Sequence, residues 1–102
     1  MTDKSDLSRR VATEIFGEKV APTVSYATDL NAAFEILEYL RSEGFGIVIA
    51  HPFDPDATWE LDVQAPSDGD ESYRDLTVES TDLPLIICEA ALYCTGYEVD
   101  GY

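Results

Sequence analysis

An α+β fold, a small three-stranded antiparallel sheet packed by three helices in the order α-α-β-β-β-α, follows from three features of this 102-residue sequence. Apolar residues recur at helical spacing in three segments, two early and one near the end. Strict in-out alternation marks residues 58–64 and 73–80, with turn-forming residues between them. A β-branched run at 45–51 precedes that pair. Helices grouped at the two ends and strands in the middle make one sheet with helices on it, and the length suits one domain, 1–102.

Each element has its own signal. In 5–16, "SDLSRRVATEIF", Ser5 can serve as N-cap, Leu7, Val11 and Ile15 recur every four residues, and Gly17 is a natural stop. Residues 18–27, with Pro22 and little periodicity, read as a connector. In "TDLNAAFEILEYLRSEGF", Thr28 or Asp29 caps a helix whose apolar stripe is Leu30, Ala33, Phe34, Leu37 and Leu40. Glu35, Glu38 and Glu43 face away, and Gly44 closes the helix. "FGIVIAH", 45–51, suits a well-covered strand. "TWELDVQ" puts Trp59, Leu61 and Val63 on one face, and "YRDLTVES" puts Leu76 and Val78 inward with Asp75, Thr77 and Glu79 outward, so the two form a hairpin. In "TDLPLIICEAALYCTG", Thr81 is the expected N-cap and Pro84 lies in the first turn. Leu83, Ile86, Ile87, Ala90, Ala91 and Cys94 form the stripe, and Gly96 ends the helix. The remainder, about 97–102, reads as a flexible acidic tail.

Charge is the unusual property. Twenty-one acids against six bases give −15. Residues 1–20 sum to zero, so the whole excess follows Val20, where Arg41 and Arg74 face 17 acids. Such a field repels nucleic acids, nucleotides and anionic membranes and attracts basic surfaces. No stretch is long and apolar enough to span a bilayer, and no apolar signal core follows Met1, so the expected location is the cytoplasm. Cys88 and Cys94 stand about 9 Å apart along one helix, too far for a disulfide, and are expected as free thiols. Cys88 lies off the stripe and is expected to be partly exposed.

Catalytic and metal chemistry find little support. The segment from Asp68 imitates a calcium loop, with Asp68, Asp70, Ser72 and Glu79 on ligand positions, but Tyr73 occupies the position that needs glycine. His51, the only histidine, ends a strand before Pro52 and has no nucleophile in a recognisable arrangement. Neither cysteine has a basic sequence neighbour, and no glycine-rich phosphate loop exists. The chain is therefore expected to be no enzyme and to take no cofactor or metal.

"LSRRVATEIFG", "YATDLNAAFEILEYLRSEGF", "WELDV" and above all "STDLPLIICEAALYC" resemble the phage ABA sandwich domain, a family of small phage and prophage proteins, over roughly residues 7–95. Members often carry a tryptophan after the first-helix glycine, where this chain has Glu18, and the acidity of the strands and loops is a further departure. The resemblance implies a fold and a viral origin, and assigns no activity.

The acids themselves suggest a use. Glu60 and Asp62 alternate on one strand about 6.8 Å apart, comparable with successive phosphates of a DNA strand. Asp75 and Glu79 join them from the next strand, Asp68, Asp70 and Glu71 from the turn, and Asp54 and Asp56 from the preceding loop, with Tyr73 as a candidate aromatic anchor. The expected partner is a basic DNA-binding protein or complex in the host bacterial cytoplasm, such as a CRISPR–Cas effector, bound in place of nucleic acid; the chain itself is expected to bind neither nucleic acid nor membrane, and to be a monomer or weak dimer. The alternative is a phage interaction or assembly module whose acidity serves solubility or salt adaptation.

Overall fold

The computed structural model describes residues 4–17, 26–50, 58–69, 71–99 and 102. The elements are α1 (Lys4–Arg10), continued by a π-helical turn (Val11–Ile15), α2 (Leu30–Ser42), β1 (Gly46–Ala50), β2 (Trp59–Gln64), β3 (Leu76–Ser80) and α3 (Leu83–Cys94). The α-α-β-β-β-α order and the α+β class read from the sequence are those observed.

The first helix begins at Lys4, so Ser5 lies inside it rather than capping it. Its second half widens: the amide of Phe16 donates to the carbonyl of Val11 at 3.3 Å, five residues back. Apolar spacing of four over-rotates an α-helix by about 40° per step. The wide turn gives part of that rotation back, and Leu7, Val11 and Ile15 all reach the core. Gly17 then leaves the helix at φ 71. The buried hydroxyl of Ser8 accepts from the amide of Ala27 at 3.0 Å, tying α1 to the approach to α2.

Asp29 caps α2, its carboxylate accepting from Asn31 at 3.0 Å and Ala32 at 3.4 Å. The buried arc is Ala32, Ala33, Ile36, Leu37 and Leu40. Leu30 and Phe34, counted in the stripe from spacing alone, are 38% and 41% exposed. The arc is rotated toward Ile36 because α2 packs on both α3 and β1, and those two neighbours decide which side is inside.

The sheet has the order β1-β2-β3 and is antiparallel throughout. β1 pairs Ile47 with Val63 and Ile49 with Leu61; β2 pairs Leu61 with Val78 and Val63 with Leu76. These residues and Trp59 face the helices, with Leu61 and Val63 fully buried. The β-branched run is not a well-covered strand. β1 is an edge strand packed on one face, and Val48 on the other face is 60% exposed.

α3 lies at the centre, touching α1, the π turn, α2, β2 and β3. A helix enclosed on so many sides is apolar nearly all round. Cys88 and Leu92, off the expected stripe, are therefore as buried as Ile87, which corrects the partly exposed thiol. The N-cap is Asp82 rather than Thr81: its carboxylate accepts from the amide of Leu85 at 3.3 Å and holds Lys4 at 2.6 Å. Gly96, at φ 101, lets the chain turn back so that the amide of Tyr97 reaches the carbonyl of Leu92 at 2.9 Å. Residues 97–99, where composition suggests a flexible acidic tail, return along the helix end. Val99 is buried, and Arg10 donates to the carbonyl of Glu98 at 2.7 Å.

Candidate functional site

Alternation places the even-numbered residues of β2 on the sheet face away from the helices, and antiparallel pairing sets those of β3 out of phase beside them. Glu60 stands directly opposite Glu79, and Asp62 directly opposite Thr77. Glu60 and Glu79 are exposed. Asp62 is half-buried and oriented, accepting the hydroxyl of Thr77 at 3.2 Å. Opposed residues on one sheet face lie about 5 Å apart, so two like charges are held together by register. Among the described residues the ion pairs are Lys4 with Asp82 and Arg9 with Asp6, and both bases come from the first ten residues. None reaches the outer face of the sheet.

Nor does the one base between the strands offset it. Arg74 points the other way: its Nε donates to the carbonyl of Tyr93 at 3.0 Å and Nη2 to that of Tyr97 at 2.9 Å, with the guanidinium 4.0 Å over the Tyr93 ring. It therefore staples the end of α3 to the hairpin. A polar cavity of about 510 Å³ lined by Arg10, Arg74, Tyr93 and Glu98 is the space around these staples.

The other candidate residues divide. Asp68 and Glu71 are exposed at the hairpin turn. Asp75 is exposed but employed, its carboxylate accepting from the amide of Ala65 at 2.7 Å to close the hairpin neck. Tyr73 is half-buried with its ring 4.9 Å from that of Phe45, against the core rather than projecting from the surface. Asp54, Asp56, Asp70 and His51 lie outside the described residues.

Among the described residues no three His, Cys, Asp or Glu side chains gather as a metal-binding group. Burial first, with Glu89 and Asp82 adding to it, pushes the Cys88 thiol up to about 12. Burial likewise pushes Cys94 up to about 12, Asp75 adding and Arg74 opposing. Both thiols therefore stay protonated and shielded, the opposite of an activated nucleophile. No helix among the described residues is long and apolar enough to cross a membrane.

Two features escaped sequence reasoning. Glu89 is buried inside α3, and burial followed by the nearby Asp82 raises its carboxyl above the usual range. Its spacing falls just off the apolar stripe, so only the enclosure of α3 reveals it. The other is an open groove of about 540 Å³ between α2 and β1, lined by Phe34, Leu37, Glu38, Arg41, Ile47 and Ile49. The displaced stripe of α2 and the one-sided β1 create it, and neither is visible in local spacing.

A family model described as the phage ABA sandwich domain matches residues 1–92. Comparison with curated proteins and with solved structures gives no match.

Proposed function

The chain belongs to the phage ABA sandwich domain family, and from that premise we propose that it is a phage-encoded, non-enzymatic inhibitor whose acidic outer sheet face occupies a basic nucleic-acid-binding groove of a host defence complex, of the anti-CRISPR type. The observation that carries the reading is the Glu60–Glu79 register pair with Asp62 beside it, on a face that no described base neutralises. Like charges fixed opposite each other cost stability. Solubility alone is served as well by mixed charges. A groove lined by Lys and Arg to hold phosphates would reward the same spacing, because fixed carboxylates offer it the negative charge that its bases hold in nucleic acid. The inhibitor would act stoichiometrically, by exclusion of the nucleic acid.

The test is capture of a CRISPR–Cas effector from a lysate by the tagged protein, followed by challenge with duplex DNA and with salt. Displacement by both, and loss of capture by E60K/E79K with the fold intact, supports the proposal. Capture that survives DNA, salt and the charge reversal sinks it. Asp75 is omitted from the reversal because its bond to Ala65 makes it part of the hairpin.

The second reading, an interaction or assembly module of the phage, is favoured by the exposed Leu30, Phe34 and Val48. It predicts a partner held through apolar surface and retained at high salt.

A further inference from the structure

Among the described residues, the outer edge of β1 is left undefended. Edge strands in soluble proteins are usually blunted by charges, proline or bulges. β1 reads Gly-Ile-Val-Ile-Ala, with none of these, in a chain that is otherwise −15. Among the described residues it pairs with β2 alone. Below that edge lies the groove formed with α2, and Leu30 and Phe34, one helical turn apart, lie exposed on the α2 side. Among the described residues, three of the four large apolar side chains left exposed, Leu30, Phe34 and Val48, thus belong to α2 and β1.

We propose that this edge and groove are a homodimer interface, in which β1 of one chain pairs antiparallel with β1 of a second copy about a two-fold axis through Val48. Three observations select a second copy over a foreign strand. The first is that the strand is self-complementary about its centre. Antiparallel pairing at Val48 sets Val48 on Val48, Ile47 on Ile49 and Gly46 on Ala50, so the isoleucines of both chains share the helix side. Charge is the second. The rim of the groove holds one acid and one base, Glu38 and Arg41, and a two-fold reverses their order on the facing helix, pairing each with its opposite. A basic partner drawn by the overall field would find no acidic excess here, whereas a second copy meets an uncharged strand. The third is the mismatch on α2. Leu30 and Phe34 carry core character in the sequence but lack cover in one chain, and a second α2 beside the axis supplies it. The product is a continuous six-stranded sheet with two acidic faces on one side.

The electrostatics give this dimer a signature. Two chains of −15 repel at long range, and relief of that repulsion outweighs the screening of the two exposed Glu38–Arg41 pairs, so added salt should strengthen association, the reverse of the salt response expected for binding to a basic groove. The full chain is followed by sedimentation from about 0.01 to about 1 mM, at about 0.05 M and about 0.5 M salt. Mass rising from 11.3 kDa toward twice that value, with the midpoint at least about tenfold lower at the higher salt, is the expected result. V48K should fold normally, since position 48 is exposed and stands opposite Asp62, yet dimerise at least about tenfold more weakly. E38R and R41E should each weaken the dimer, and E38R/R41E together should restore it. E60K/E79K should dimerise at least as well as the parent, which separates this interface from the acidic face. A parent chain that stays monomeric across both salts, or V48K dimerising like the parent, overturns the proposal.

Discussion

Glu60 on β2 and Glu79 on β3 are held directly opposite each other on the exposed face of the sheet. Register leaves neither glutamate free to move off, and such a pair is destabilising by a few tenths of a kcal/mol or more. E79K should therefore raise stability by about 0.2–1 kcal/mol, read from the denaturation midpoint, while weakening capture of a basic partner. Stability and partner binding moving in opposite directions distinguishes a surface selected for binding from one that is merely solvated. If E79K lowers stability, the opposed carboxylates are not a cost to the fold.

Arg74 should matter more to stability than any exposed acid. It donates to the carbonyls of Tyr93 and Tyr97 and covers the Tyr93 ring. R74A should cost about 2 kcal/mol, because it removes the charge-assisted bonds and the cation–π stacking together. R74K should recover less than half, because an ammonium cannot span both carbonyls in the fixed geometry of the guanidinium. Chemical denaturation of the two variants settles the point.

Gly96 and Gly46 make a paired test. At Gly96, φ is 101 and an added Cβ would lie 2.9 Å from both Cβ and Oγ of Ser72. G96A should destabilise by about 1–3 kcal/mol. At Gly46 the nearest side-chain atom to an added Cβ is Gln64 Cβ at 3.9 Å, an ordinary contact. G46A should stay within about 0.5 kcal/mol of the parent. Equal effects at the two positions would refute the strained return after α3.

Buried Glu89 should give stability a pH dependence. Its folded-state carboxyl is raised above the ordinary 4.5, mainly by burial and then by Asp82. The folded state consequently holds the proton more tightly than the unfolded chain does. The stabilising contribution is full below about pH 4.5 and is lost as pH rises through the raised value. E89Q should remove that decline and be more stable than the parent at neutral pH, with the two converging in acid. Parallel stability-versus-pH curves for E89Q and the parent would contradict it.

Cys88 and Cys94 should be inert until the domain opens. Both are fully buried with thiols pushed up to about 12. At pH 8 a thiol reagent should modify the native protein at under about 1% of the rate in denaturant, following the opening equilibrium. Rapid modification of either thiol in native conditions would mean that α3 is less enclosed than observed.

Much of this fold was legible because its signals are local. Alternation placed Leu61, Val63 and Val78 inward and Glu60 and Glu79 outward without any long-range information. The glycines at 17, 44 and 96 each take positive φ, as helix-ending glycines do. Three of the errors share one cause. Leu30 and Phe34 on α2, the covering of β1 and the exposure of Cys88 all depend on which element lies alongside. A stripe of apolar residues tells that a helix has an inside, but its neighbours fix the angle of that inside. Asp75 and Tyr73 had the right chemistry for a surface site, yet a bond to Ala65 and ring packing against Phe45 engage them elsewhere.

By itself, then, the sequence determined the element order, the two faces of the hairpin and a charge of −15 confined to the part after Val20, because periodicity and composition are properties of the chain. Only the tertiary structure decided that Glu60 meets Glu79, that Arg74 turns inward to hold α3, that Glu89 is enclosed and that β1 ends the sheet beside an open groove. Those are relations between segments distant in the chain, set by strand register and by the packing of α3 at the centre, and no local spacing encodes them.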